Sequence, residues 1–211
     1  MTPTDIAIQR LREGNLRFAE GRQSEGPLDG VARRSQLVEG QQPFAVIIGC
    51  SDSRVPAEIV FDQGLGDLFV IRVAGNIVAP SQIGSVEYAA EVTGARLVVV
   101  MGHSNCGAIS ATIDQLQQPQ SNRSRNLRSI VDRIRPSVET LFETDLSKDR
   151  AALIKYAVRA NVRSSVDHLR HGSEILERLI QEDGLVVVGA EYSLETGLVE
   201  FFEGISRVPS E

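Results

Sequence analysis

Phe44-Ala45-Val46-Ile47-Ile48-Gly49 and Leu97-Val98-Val99-Val100-Met101 decide the fold of this chain. Neither run alternates apolar with polar residues. A strand buried on both faces reads this way, and such strands belong to parallel sheets covered by helices on each side. Working outward, Leu68 to Val73, Leu185 to Val188 and Leu198 to Phe202 read as three further strands, the last reached through a turn near Glu195-Thr196-Gly197. Helical spacing joins them. Thr2-Pro3 opens a helix through Ile8, Leu11, Asn15 and Phe18 to Gly21, and a short second helix covers Val31 to Glu39. Pro80 and Ser81 open another, which Gly94 stops. Further helices follow Cys106 and run over 127–142, 149–171 and 173–181, and the polar stretch Gln117 to Arg125 reads as a disordered or variable loop. Strands alternating with helices predict an α/β fold. Its sheet is mainly parallel and five-stranded, four parallel core strands plus an edge strand, flanked by helices. No linker divides the chain, so 1–211 reads as one domain, with 1–39 a helical arm and 40–211 the core.

The chemistry sits where those strands end. Cys50-Ser51-Asp52-Ser53-Arg54 follows the first run, and Gly102-His103-Ser104-Asn105-Cys106-Gly107 follows the third. These stretches hold both cysteines and one of the three histidines. In open α/β sheets ligands bind beyond the carboxyl ends of the strands, where strand order reverses. If the first and third strands are neighbours, Cys50, His103 and Cys106 converge on one point. Two thiolates and an imidazole make a zinc set, and three protein ligands leave one of zinc's four positions open, as catalysis requires. The competing readings are an inert buried pair or a disulfide. Reducing compartments disfavour the disulfide, and the His-x-x-Cys pair favours metal over inert thiols. His168 and His171 share a helical face, but they lack partners in register and read as a solvated face or a subunit contact.

Composition narrows the function. A 42% hydrophobic content suffices for an ordinary core, and a net charge of -6 argues against a duplex nucleic-acid partner. No apolar run is long enough to cross a bilayer. The opening Met-Thr-Pro-Thr-Asp-Ile lacks a basic stretch followed by an apolar one. The expected location is therefore cytoplasmic, with no membrane partner.

Cys50-Ser51-Asp52-Ser53-Arg54-Val55 together with Gly102-His103-x-x-Cys106-Gly107 resembles the β-class carbonic anhydrases. Gly14-Asn15-Leu16-Arg17-Phe18, Arg72-Val73-Ala74-Gly75-Asn76 and Glu87-Tyr88-Ala89 extend the resemblance over most of the chain. It implies one zinc per subunit, held by Cys50, His103 and Cys106, with Asp52 and Arg54 as a dyad beside it. It also implies a substrate site of Gln41, Gly107, Phe69, Ala74 and Tyr88, some of them supplied by a partner subunit. The implied activity is reversible hydration of carbon dioxide to bicarbonate and a proton, by zinc-bound hydroxide that Asp52 orients. The implied assembly is a homodimer or a higher even-numbered homo-oligomer, with the N-terminal helix packing on a partner subunit. A tryptophan marks the family's branch with a regulatory bicarbonate site. Ile47 stands at that position and the chain has no Trp, which places it with the plant-like, non-allosteric branch. Hydrolysis of carbonyl sulfide or carbon disulfide on the same fold, and a zinc-stabilised scaffold without activity, are the competing functions. The intact dyad disfavours the scaffold.

Overall fold

The computed structural model describes residues 2–23, 30–118 and 124–205. The elements are, in order, α1 (Pro3–Ala19), α2 (Val31–Gln36), β1 (Ala45–Gly49), α3 (Ala57–Val60), β2 (Leu68–Arg72), a 3-10 turn (Ala74–Asn76), α4 (Pro80–Val92) and β3 (Leu97–His103). They continue with α5 (Gly107–Gln117), α6 (Arg125–Phe142), a second 3-10 turn (Asp145–Lys148), α7 (Arg150–His171), α8 (Glu174–Glu182), β4 (Val186–Tyr192) and β5 (Val199–Glu203).

The five strands lie in the order β2-β1-β3-β4-β5. The first four run parallel, and only β5 is antiparallel, against β4. The expected sheet is therefore the observed one. Every residue of β1 and β3 is buried because both faces are covered. Ala45, Ile47, Leu97, Val99 and Met101 face one apolar core, while Val46, Ile48, Val98 and Val100 face the other. That two-sided burial is why the runs show no polar alternation.

Helix ends follow their sequence signals. The Thr2 Oγ1 accepts from the Asp5 N–H while Asp5 Oδ2 accepts from the Thr2 N–H at 2.8 Å, a reciprocal cap before Pro3. Asp149 and Ser173 cap α7 and α8. Helix α1 then docks on its own chain. A Cβ on Gly14 would lie 1.9 Å from the Phe61 carbonyl oxygen, so only glycine permits this approach. Next to it, Asn15 Nδ2 donates to the carbonyls of Val60 at 3.1 Å and Gly197 at 2.8 Å, and Asn15 Oδ1 accepts from the Val199 N–H at 2.7 Å. One buried amide thus ties α1 to both α3 and the β4–β5 turn. The opposite side of α1 exposes Ile6 and Leu16.

Several boundaries differ from expectation. Strand β3 continues through His103 instead of stopping at Met101, because β4 itself runs to Tyr192 and pairs with it, residue for residue. Backbone pairing extends past the end of the apolar pattern. Helix α2 ends at Gln36 rather than Glu39, and α3 and the two 3-10 turns are too short to leave a periodic signal. Of the loop expected over 117–125, Gln117 belongs to α5 and Arg125 to α6, while 119–123 lie outside the described residues.

Candidate metal centre

The strand order reverses between β1 and β3: the chain leaves β1 for β2 on one side and returns to β3 on the other. Cys50 follows the last residue of β1, and His103 is the last residue of β3. Cys106 is the residue before α5. One ligand atom from each of the three lies within 4.8 Å of the others, and all three residues are buried. This is the convergence that the two motifs predicted.

The backbone around the cluster is cross-braced. The Gly75 N–H donates to Cys50 Sγ at 3.3 Å, and the Gly75 carbonyl accepts from Asn161 Nδ2 at 2.8 Å, so the residue is held through both its backbone polar groups. Gly75 sits at φ 69°, and a Cβ there would lie 2.8 Å from Ile134 Cδ1 and 3.1 Å from Ala108 Cβ. Both the left-handed backbone and the crowding demand glycine. Arg72 at the end of β2 donates from Nε to the Cys50 carbonyl at 3.0 Å and from Nη2 to the Asp52 carbonyl at 2.6 Å. It fixes the loop that carries Cys50.

His103 Nδ1 lies 2.9 Å from the Ser104 carbonyl oxygen, a contact that only a protonated nitrogen makes favourable. The other nitrogen, Nε2, is buried and has no hydrogen-bond partner among the described residues. A buried polar atom without a partner is costly. A lone pair aimed at two nearby sulfurs is the electronic state of a metal ligand, with its tautomer set by the bond behind it. The two thiols respond to each other. Cys50 is pulled down, chiefly by the hydrogen bond from Cys106 and further by the Gly75 N–H. Cys106 is pushed up by its bond to the Cys50 sulfur, by burial and by the Cys50 charge. The opposite shifts are those of two sulfurs sharing one hydrogen bond. Two sulfurs and one imidazole nitrogen suit a borderline-soft dication such as zinc, whose bonds to them run about 2.0–2.3 Å.

Asp52 stands at the rim, its side chain 18% exposed, with Oδ2 3.9 Å from His103 Nε2. Arg54 holds it, Nε to Oδ1 at 2.9 Å and Nη2 to Oδ2 at 2.8 Å, and the Arg54 N–H adds a third bond to Oδ1 at 3.0 Å. These bonds keep the Asp52 carboxyl well below the usual carboxylate range.

The other residues expected at the site divide. Ala74 lies in the 3-10 turn beside Gly75, and Gly107 opens α5 next to Cys106 with open space where a Cβ would be. Both adjoin the cluster. Gln41 is exposed and precedes β1, so the whole strand separates it from Cys50. Phe69 packs on the core that does not contain Cys50 and Cys106, and Tyr88 meets it with ring centroids 6.2 Å apart. Tyr88 is 51% exposed. Within one chain these three do not join the cluster. Sequence reasoning also missed Arg72 and Glu195, which contact the site's loops; a charged residue closing the otherwise apolar β2 was the one available signal for Arg72.

Comparison with known proteins agrees with this geometry. The family model described as carbonic anhydrase matches residues 45–199. The carbonic anhydrase of Mycolicibacterium smegmatis is 39% identical over 194 residues, spanning 92% of this chain and 91% of that protein. Carbonic anhydrase 2 of Mycobacterium tuberculosis is 37% identical over 205 residues, spanning 97% and 96%. Among solved structures, the β-carbonic anhydrase CcaA superposes with a TM-score of 0.72 at 28% identity, covering 95% of this chain and 93% of that one. With matches of this length and identity, the chain belongs to the β-class carbonic anhydrases.

Proposed function

We propose that this protein is a zinc enzyme that interconverts carbon dioxide and bicarbonate, with one zinc per subunit held by Cys50, His103 and Cys106. The observation that carries the reading is the buried, unpartnered His103 Nε2 facing two cysteines beside an Asp52 already gripped by Arg54. When bound, zinc supplies an ionisable water near neutral pH and positive charge for the oxygen that turns negative.

Carbon dioxide and water give bicarbonate and one proton. A water oxygen forms a bond to carbon, one carbon–oxygen π pair moves onto oxygen, and the proton leaves to solvent buffer. Asp52 accepts a hydrogen bond from the attacking oxygen and turns its lone pair toward carbon. Arg54 keeps Asp52 ionised and aimed, through a planar fork that a lysine lacks. The non-allosteric branch suits this arrangement, because Asp52 is committed to Arg54 and Ile47 is buried inside β1. Ala74 and the backbone at Gly107 line the space next to the ligands.

A second copy completes the site. Gln41 from the partner donates its amide to the oxygen that becomes negative, and Phe69 with Tyr88 forms an apolar wall that suits an apolar gas. The half-exposed Tyr88 and the bare Ile6 and Leu16 on α1 support a homodimer or a larger even-numbered assembly with the arm on its partner. The chain then works as one domain, 1–211, with 1–39 as the arm. A cytoplasmic location suits ligands that must stay reduced, and no helix among the described residues is long and apolar enough to cross a membrane. Zinc analysis with stopped-flow hydration of carbon dioxide on purified protein tests the proposal. Stoichiometric zinc without hydration would refute it.

A further inference from the structure

Only Ser104 and Asn105 separate His103 from Cys106, so their placement decides how two of the three ligand atoms meet. Asn105 adopts φ 55°, a left-handed conformation that asparagine tolerates but that persists only where the surroundings hold it. The hold comes from across the molecule. In the turn between β4 and β5, Glu195 Oε1 accepts from Asn105 Nδ2 at 2.9 Å. Glu195 Oε2 accepts from Ser104 Oγ at 2.8 Å and from Ser193 Oγ at 3.1 Å. Ser104 is pinned twice more: its N–H donates to the Tyr192 carbonyl at 2.9 Å, and its Oγ accepts from the Leu194 N–H at 2.9 Å. On the other flank Arg54 Nη2 reaches the Asn105 carbonyl at 3.5 Å.

We propose that Glu195 is a positioning residue of the metal centre, a carboxylate that locks the Ser104–Asn105 turn so that His103 and Cys106 arrive already aligned. An ionised carboxylate suits this task because both its oxygens accept, and hydrogen bonds to a charged acceptor are the stronger kind. Its base is fixed as well: Asn15 on α1 bonds the Gly197 carbonyl of the same turn and the Val199 N–H that opens β5. A continuous line runs from α1 through the turn to the ligand loop. Groups that orient metal ligands from behind commonly carry tenfold to a hundredfold of metal affinity.

The inference rests on the reading of the cluster as a zinc centre, and its test separates the two. Zinc transfer from the holoenzyme to a chromogenic chelator is timed well below the unfolding temperature for wild type, Glu195→Ala and Glu195→Gln. Visible spectra of the cobalt-substituted proteins are recorded alongside. Glu195→Ala is expected to release zinc about tenfold faster or more and to shift the cobalt bands. Glu195→Gln, which keeps the shape and one accepting oxygen, is expected to recover part of both. A purely structural role would lower the melting temperature and leave release rate and spectrum at wild-type values, and that result overturns the proposal. Should Glu195→Ala fail to fold, Ser104→Ala removes one of the same bonds, and unchanged release there overturns it equally. A wild-type protein that takes up no zinc sinks both readings, whereas an active zinc enzyme with an indifferent Glu195→Ala sinks this one alone.

Discussion

Arg54 closes on Asp52 from two atoms at once, Nε on Oδ1 at 2.9 Å and Nη2 on Oδ2 at 2.8 Å, leaving Oδ2 3.9 Å from the imidazole nitrogen of His103. The carboxylate is thus oriented before any substrate arrives. Arg54→Lys keeps the charge but not the fork, and stopped-flow hydration should fall about tenfold or more. Asp52→Ala should lose about 10²-fold or more while elemental analysis still finds zinc.

The same grip sets a pH dependence. Asp52 is ionised well below the ordinary carboxylate value of about 3.9. A depressed carboxyl contributes stability above its unfolded value and loses it as pH falls through its folded value. Urea midpoints of wild type and Asp52→Asn should therefore differ by a constant amount above about pH 5 and converge below about pH 4. A gap that closed instead between pH 6 and 8 would contradict the assignment.

Metal uptake should release protons in a definite number. Cys50 is pulled down and Cys106 pushed up because the two sulfurs share one hydrogen bond, so the pair gives up its protons separately. Zinc binding to the metal-free chain at pH 7 should expel about one proton. Calorimetry in two buffers of different ionisation enthalpy reads the count directly, and about two would mean that Cys50 is not ionised beforehand.

Gln41 lies beyond the far end of β1 from Cys50, so its service to catalysis requires a second copy. Gln41→Ala and Asp52→Ala proteins, each impaired, should regain activity when unfolded and refolded together, if the proposed dimer shares its sites. Random pairing leaves roughly a quarter of the sites intact. Mixed samples no better than the average of the two parents would show that each chain uses its own Gln41 or none.

Gly14 gives a stability test. Alanine there gains about 1 kcal/mol of helix propensity, but its Cβ would lie 1.9 Å from the Phe61 backbone oxygen, which has no rotamer to escape into. Overpacking of this kind costs about 1–3 kcal/mol or more. Gly14→Ala should come out destabilised by about 2 kcal/mol in urea unfolding, against the propensity trend.

The unbroken apolar runs at 44–49 and 97–101 identified buried parallel strands because each residue must face one of two cores and neither can be polar. The two motifs identified the Cys50, His103 and Cys106 cluster because Cys50 and the His103–Cys106 pair already stood at strand ends. Family resemblance, not periodicity, supplied Gln41, Phe69 and Tyr88, and within one chain those three stand away from the cluster. Nothing local marks His103 as a strand residue, since its pairing partner Tyr192 belongs to β4.

By itself the amino-acid sequence determined the five strands and the longer helices, though not every boundary, and marked Cys50, His103 and Cys106 as candidate ligands, for these depend on spacing over a few residues, which backbone geometry converts directly into position. Only the tertiary structure decided that β3 lies between β1 and β4. That order brings Arg72, Gly75 and Glu195 to the ligand loops and leaves Gln41 at the opposite end. Contacts such as Ser104 with Glu195 join residues 91 apart in sequence, and they exist because the sheet places two strand ends side by side.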